Sequence, residues 1–380
     1  MGRRTADEYV DWNRLSNLNI QRLKKTMNAK NIDAVVISAM DNFRWLTAIP
    51  ITLGWFYRFS HAAVQSRDAD EPIIIAPEGY DFAEKNWFHD VRTIPFYKEL
   101  QQPMDSVNWH KTCAKALEEL GCKSGRIAVD PETPYIMKDA LASELPRAEI
   151  ISANKTLMEA RLVKNEEEIK AIRVACNIGE LGMKAGLDMV AEGTREKEIA
   201  AAMVKTFIEN DADVEYLPFV LSGVRPMLLH ASDKAIRRDE LVRIDLGCIY
   251  GGYRADFSRT RYVGRPSQET VKTYRALMQA YMEGVEALRP GATNLEIVRI
   301  IASKFSELTG GKQEIGSFVG HGMGIGVHEE PLFCRGLIYD EVKLEKGMYF
   351  CLEPAVMTSA GNMAVEDDFI ITEDRYEMIT

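Results

Sequence analysis

Five residues in the second half of the chain have the types and surroundings to bind metal together: Asp245, Asp256, His321, Glu353 and Glu366. They lie in the segments IDLGCIYGGYRADFSRT, GHGMGIGVHEEP, CLEPAV and AVEDDF. Their four carboxylates carry four negative charges, which two divalent cations would neutralise. Buried without metal, such a cluster would be costly, because each charge loses its hydration with nothing in return. Oxygen donors with one imidazole suit hard to borderline ions. Manganese is the first choice, cobalt, iron(II) and zinc also fit, and thiolate chemistry is not indicated. Two such ions side by side point to a hydrolytic centre.

Each ligand needs an element to hold it. VRIDLGCIYGGYRADFSRTRYV reads as a hairpin that turns at Gly251-Gly252. That turn places Asp245 opposite Ser258 and makes Asp256 its diagonal neighbour on the same face, within reach of a shared ion. Two aspartates on a solvent-facing hairpin are the competing explanation. The apolar residues of IDLG argue against it, since they should bury Asp245. Glycines surround His321 and let the backbone approach another segment closely. A core histidine in a glycine-rich loop is the plainer alternative. It is weakened by His328, seven residues on, in a chain with six histidines. GMYFCLEPAV and NMAVEDDFIIT each put a glutamate inside an apolar strand, and MTSAGN closes a second hairpin between them. Cys248, between the two aspartates, reads as core.

A chain of 380 residues is long for one core and comfortable for two. Residues 1–158 read as an α/β domain. An amphipathic helix covers about residues 15–30, and DAVVIS, EPIIIAP and GRIAVD read as buried strands. TPYIMKDALASEL reads as a helix with Thr133 as N-cap and Pro134 in its first position. This alternation favours an open mixed or parallel sheet. Residues 159–380 read as α+β with a largely antiparallel sheet. One long amphipathic helix runs through LMEARLVKNEEEIKAIRVACNIGELGMKAGLDMV, a second through TREKEIAAAMVKTFIEN, and two more lie near residues 267–288 and 294–309. The net charge of −10 speaks against a nucleic-acid surface or a polybasic membrane patch. No apolar run approaches a membrane span. Six scattered cysteines without a C-x-x-C pair, and no signal-like N-terminus, point to reduced thiols in the cytoplasm.

At these motifs the chain resembles the creatinase, prolidase, aminopeptidase P and methionine aminopeptidase superfamily. The resemblance covers essentially the whole chain. It implies a creatinase-like N-terminal domain over 1–158 and a pita-bread catalytic domain over 159–380. It further implies that Asp245 chelates one ion, that Asp256 and Glu366 bridge two, and that His321 and Glu353 hold the second. A hydroxide between the ions would be the nucleophile. Glu353, in the EP motif, would shuttle the proton. His230, in LSGVRPMLLHASD, would face the substrate, and His328 would steady the oxyanion or the scissile amide. The implied reaction is hydrolysis of X-Pro peptide bonds in small peptides, as in Xaa-Pro dipeptidases and aminopeptidases, by a homodimer. Trp45, Trp55, Tyr57 and His61 are candidates to line a neighbouring subunit's pocket, or else belong to the core of the small domain.

Three positions depart from the proline-peptidase pattern. The family's S-G-x-N-A-x-x-P-H reads SGVRPMLLH, with Arg225 in place of asparagine and Leu229 in place of proline. R-I-E-D reads AVED, with Ala364 in place of arginine. Ser317 stands where a histidine often precedes the metal histidine. No metal ligand is lost. Arg225 could clamp a substrate carboxylate bidentately, or form a structural salt bridge. These changes open an alternative on the same fold: a small amide or other small molecule cleaved as by ectoine hydrolase or creatinase, or an elimination as in dimethylsulfoniopropionate lyase. A non-catalytic binding protein would be expected to lose some of the five ligands.

Overall fold

The computed structural model describes residues 10–49, 61–77, 87–94, 108–213, 218–225, 230–245, 247–336 and 340–380. The chain divides into two compact units, Asp11–Arg161 and Leu162–Thr380. Leu229, Trp55 and Tyr57 lie outside the described residues.

The first unit is built on strands β1 (Ala34–Ile37), β2 (Ala62–Ser66), β3 (Ile73–Pro77), β4 (Val91–Ile94), β5 (Arg126–Val129) and β6 (Glu149–Ser152). They form one sheet in the order β4-β3-β2-β1-β5-β6. It is mixed, as the strand and helix alternation predicts: β1 runs parallel to β5 and antiparallel to β2. DAVVIS, EPIIIAP and GRIAVD supply β1, β3 and β5. The first two are wholly buried, as continuous β-branched runs covered on both faces should be. Helices α1 (Trp12–Ala29), α2 (Met40–Thr47), α3 (Trp109–Glu119), α4 (Tyr135–Glu144) and α5 (Asn154–Leu162) accompany the sheet. Asp11 caps α1 by accepting the Arg14 N–H at 2.9 Å. The sequence puts Thr133 at the cap of α4, but Pro134 takes that place. The Thr133 hydroxyl pairs instead with the Ser38 hydroxyl at 2.6 Å, which draws it away from the helix. Trp45 and His61 are buried. The Arg22 guanidinium lies over the Trp45 ring, and His61 meets Phe43 edge to face, so both pack inside this unit.

The second unit carries helices α6 (Glu166–Asp188), α7 (Glu196–Glu209), α8 (Gln268–Glu286) and α9 (Asn294–Thr309). The single long helix expected around residue 165 is two helices, α5 and α6. Asn165 accepts the N–H groups of Glu167 and Glu168, while the Glu168 carboxylate accepts the Asn165 N–H at 2.7 Å. This capping box requires Asn165 to leave helical geometry, and so it starts a new helix there. Helices α8 and α9 pack Leu277, Tyr281, Ile297 and Ile301 into one core with Phe350 and Phe369 from the sheet.

The strands of this unit pair antiparallel throughout. β7 (Phe219–Ser222), β8 (Leu241–Asp245) and β11 (Arg259–Tyr262) form a sheet in the order β11-β8-β7. Between β8 and β11 the chain makes the ribbon of β9 (Ile249–Tyr250) and β10 (Tyr253–Arg254). Gly251 and Gly252 both have positive φ, as a two-residue turn of this kind demands. β12 (Phe318–Gly322), β13 (Glu329–Cys334), β14 (Tyr349–Leu352), β17 (Asp367–Ile371) and β18 (Tyr376–Met378) form a five-stranded sheet in the order β13-β12-β14-β17-β18. β15 (Ala355–Thr358) and β16 (Gly361–Ala364) make a separate hairpin. Among the described residues, no helix is long and apolar enough to cross a membrane.

Candidate metal centre

The centre lies where these sheets meet. Ile244 pairs with Arg259, and Tyr250 pairs with Tyr253. The two pairs share one register, which sets Asp245 across from Ser258 as the turn predicts. Asp256, two residues earlier, falls on the same face. Asp245, Asp256 and Glu366 each present an oxygen within 4.8 Å of the others'. Burial differs from the expectation for Asp245: its side chain is 14% exposed, whereas that of Asp256 is 8% exposed.

His321 sits on β12, between β13 and β14. The glycines beside it have the role their small size suggests. A Cβ at Gly320 would collide with the Cys351 carbonyl, and one at Gly322 with the Glu330 carbonyl. The two glutamates lie at strand ends rather than inside strands. Glu353 follows β14 as the chain passes to β15, and Glu366 precedes β17 as it returns from β16. At such breaks the backbone leaves one sheet for another, so a side chain can turn into the gap between them. His321 Nε2 lies 3.6 Å from Asp256 Oδ2 and 3.6 Å from Glu353 Oε1. Its Nδ1 faces the Gly322 carbonyl at 3.0 Å. That contact orients the ring and leaves Nε2 as the donor toward a metal.

The electrostatics of the cluster favour a cation. Burial, then the neighbouring Asp245 and Glu353, push the Asp256 carboxyl well above its usual range. Burial, Asp245 and Glu353 do the same to Glu366. Burial and Asp245 raise Glu353 to about 7, with Arg243 opposing them. Burial and His328 lower His321 to about 4, so its imidazole is neutral at neutral pH. Asp256 Oδ1 is buried with no hydrogen-bond partner among the described residues. A buried carboxylate oxygen without a donor fits a cation. The residues present therefore suit a divalent ion, and the donor set could hold it through His321, Asp256, Glu353 and Glu366.

Three nearby residues were not picked out from the sequence. Arg243, on β8 two residues before Asp245, donates into the cluster from a side chain only 3% exposed. Its signal was a second charge, two residues before Asp245, in the otherwise apolar run LVRID. Cys351 pairs with His321 across β12 and β14, and its sulfur lies within 4.8 Å of the donor atoms of His321, Glu353 and Glu366. Its signal was the period-two spacing to Glu353. Asp368 accepts the Asp256 N–H at 3.1 Å and the Tyr349 hydroxyl at 2.9 Å, and so fixes the backbone that carries Asp256. Its signal was the acidic run in AVEDDF.

The remaining predicted residues separate into two groups. His328 lies at the centre: its ring centroid is 4.3 Å from that of His321 and 5.7 Å from that of Phe318. Desolvation on its packed side lowers its pKa. His230 is exposed, with Nδ1 toward the Ala231 carbonyl at 3.1 Å. Among the described residues, no hydrogen bond or ion pair joins it to the five donors. Arg225 donates to Glu196 and, at 3.2 Å, to Ser232. This is the salt bridge that the sequence left open beside a substrate clamp.

Comparison with known proteins identifies the family. Residues 170–373 match the model of metallopeptidase family M24, and residues 19–163 match the creatinase/prolidase N-terminal domain. The chain is 28% identical over 372 residues to an Xaa-Pro dipeptidase of Pyrococcus horikoshii, covering 96% of this chain and 97% of that protein. It is 29% identical over 366 residues to an Xaa-Pro dipeptidase of Pyrococcus furiosus, covering 95% and 97%. The crystal structure of the prolidase from Pyrococcus horikoshii superposes with a TM-score of 0.78 at 26% identity, covering 95% of this chain and 97% of that one. With a family model spanning more than half its length and a metal-binding donor set gathered by its strands, the chain belongs to metallopeptidase family M24.

Proposed function

We propose that the protein is a metal-dependent hydrolase that cleaves X-Pro peptide bonds in small peptides. The observation that carries this reading is the convergence of Asp245, Asp256, His321, Glu353 and Glu366 from four separate stretches of chain, with His328 beside them. The likeness to two Xaa-Pro dipeptidases over nearly the whole chain supports the substrate class. A divalent ion, with manganese the first choice, supplies Lewis acidity and lowers the pKa of water.

The protein's own residues would do the rest. Glu353, raised toward neutrality by burial and by Asp245, is suited to take a proton from water and return it to the leaving nitrogen. His328, kept neutral at neutral pH, can donate an N–H to the developing oxyanion. An X-Pro amide has no N–H of its own. Recognition must therefore rest on the ring and on the termini of the peptide, and His230 is placed in this reading as a substrate contact. Arg225 is engaged by Glu196, which favours a structural role over a carboxylate clamp.

The test is an activity screen of metal-stripped protein with manganese, cobalt, iron(II) or zinc restored. The panel holds X-Pro dipeptides, an X-Pro tripeptide, and N-substituted or cyclic amino acids such as ectoine. Metal-dependent cleavage of an X-Pro dipeptide is expected. Bound metal with no X-Pro turnover would sink the reading. It would move the search to small-molecule C–N or C–S bonds, which the replacement of the expected arginine by Ala364 already makes the second choice.

A further inference from the structure

We propose that Arg243 takes the place of one of the two metal ions, so that the centre holds a single tight divalent cation on the His321 side. Arg243 stands two residues before Asp245 on β8, so both side chains leave the strand on the same face. Its Nη2 lies 2.6 Å from Asp245 Oδ2, 3.2 Å from Glu353 Oε2 and 3.4 Å from Glu366 Oε2. Its Nη1 donates to Asn362 on β16 at 3.3 Å. The guanidinium is thus anchored between β8 and β16 and does not hang freely in the cluster. Ala364, two residues beyond Asn362, puts no second arginine in its way.

The guanidinium competes with a second ion for the same oxygens. To chelate an ion, Asp245 needs both of its oxygens. To bridge two ions, Glu366 needs both of its own. Arg243 holds one oxygen of each. A second ion on the Asp245 side would have to share those oxygens with the guanidinium already paired with them. The His321 side keeps its set: Nε2 of His321, Oε1 of Glu353, Asp256 with its unpartnered Oδ1, and the other oxygen of Glu366. Four donors suffice for one ion. Charge points the same way. The four carboxylates and the guanidinium sum to −3, and one dication leaves −1. A second would have to settle against a guanidinium that cannot lose its proton.

This inference rests on the metal-centre reading but not on any particular substrate, so its test counts ions. Stripped protein is titrated with manganese by calorimetry, the bound metal is measured by elemental analysis, and the loaded protein is examined by electron paramagnetic resonance. Wild type is expected to bind one ion per chain, with the signal of isolated Mn(II). Arg243→Leu is expected to bind two, with a spin-coupled signal. Should Arg243→Leu fail to fold, Asp245→Asn and His321→Ala in the wild-type background still decide. Asp245→Asn is expected to keep the single ion and His321→Ala to lose it. A second ion bound in wild type, or loss of the ion in Asp245→Asn, would overturn the proposal. No bound ion at all in wild type would remove the metal-centre reading itself.

Discussion

Lys164 Nζ lies 3.1 Å from Glu329 Oε2, and the two side chains are only 2% and 3% exposed. Lys164 comes from the break between α5 and α6 that the Asn165 capping box creates. Glu329 also accepts the Gly326 N–H at 2.8 Å, which ties down the loop that carries His328. The pair therefore joins the start of this unit to the rim of the metal centre. Removing a partner from a buried pair costs about 3 kcal/mol or more. Lys164→Met is expected to unfold at lower denaturant and to turn over more slowly with its metal content kept. Unchanged stability would show that other contacts of Glu329 suffice.

Asp256 Oδ1 is buried without a hydrogen-bond partner among the described residues, and Asp256 shares His321 with Glu353. Asp256→Asn keeps the shape but removes the charge that attracts the ion. Activity is expected to fall by on the order of 10³-fold, equivalent to several kcal/mol of transition-state stabilisation. Bound metal, measured on the same sample, should fall with it. Full metal content with full activity would remove Asp256 from the ligand set.

His328 touches the His321 ring but is not among the donors of the cluster. His328→Gln is expected to lower kcat by about 10²-fold, in the range for loss of one oxyanion donor, while leaving bound metal unchanged. A rise in KM alone would assign it to substrate binding.

Metal removal should destabilise the second unit, where Arg243 offsets only part of the mutual repulsion among Asp256, Glu353 and Glu366. An ion at 100 times its Kd contributes about 2.7 kcal/mol. For a unit of this size each kcal/mol shifts Tm by about 2–4 °C. A chelator is therefore expected to lower Tm by roughly 5–10 °C, read by calorimetry, and restored metal should reverse the change.

Glu196 gives a pH dependence with a definite sign. Burial would raise its pKa, but hydrogen bonds from Ser232 and Ser222 and the charge of Arg225 outweigh burial and lower it below 4.5. A depressed carboxyl pKa adds stability that is present above the unfolded value and lost as pH falls through the folded one. Between about pH 5 and 3, wild type is expected to lose stability faster than Glu196→Gln. At neutral pH the variant should be the less stable of the two, since Arg225 then keeps its charge without the carboxylate. Parallel acid-denaturation curves for the two proteins would refute this.

Much of the centre was legible because its ligands carry charges into apolar strands, where a charge has few structural uses. The hairpin at Gly251-Gly252 fixed the relation of Asp245 to Asp256 through period-two geometry alone. The glycines around His321 announced a close approach of strands. Arg243, Cys351 and Asp368 were harder to read. Each looks like an ordinary strand residue until the partner strands are known. The capping box at Asn165 was in plain view as N-E-E-E, yet the amphipathic spacing on either side of it masked the break.

Residue types and short-range spacing thus determined the metal-binding character, the strand and helix content, and the family to which the motifs belong. These depend on local rules that hold whatever the rest of the chain does. The tertiary structure decided which oxygens face one another, where the guanidinium of Arg243 sits, and that Arg225 is engaged by Glu196. Such facts arise from contacts between residues tens to more than a hundred positions apart, whose pairing is set by sheet order and register and by no local signal.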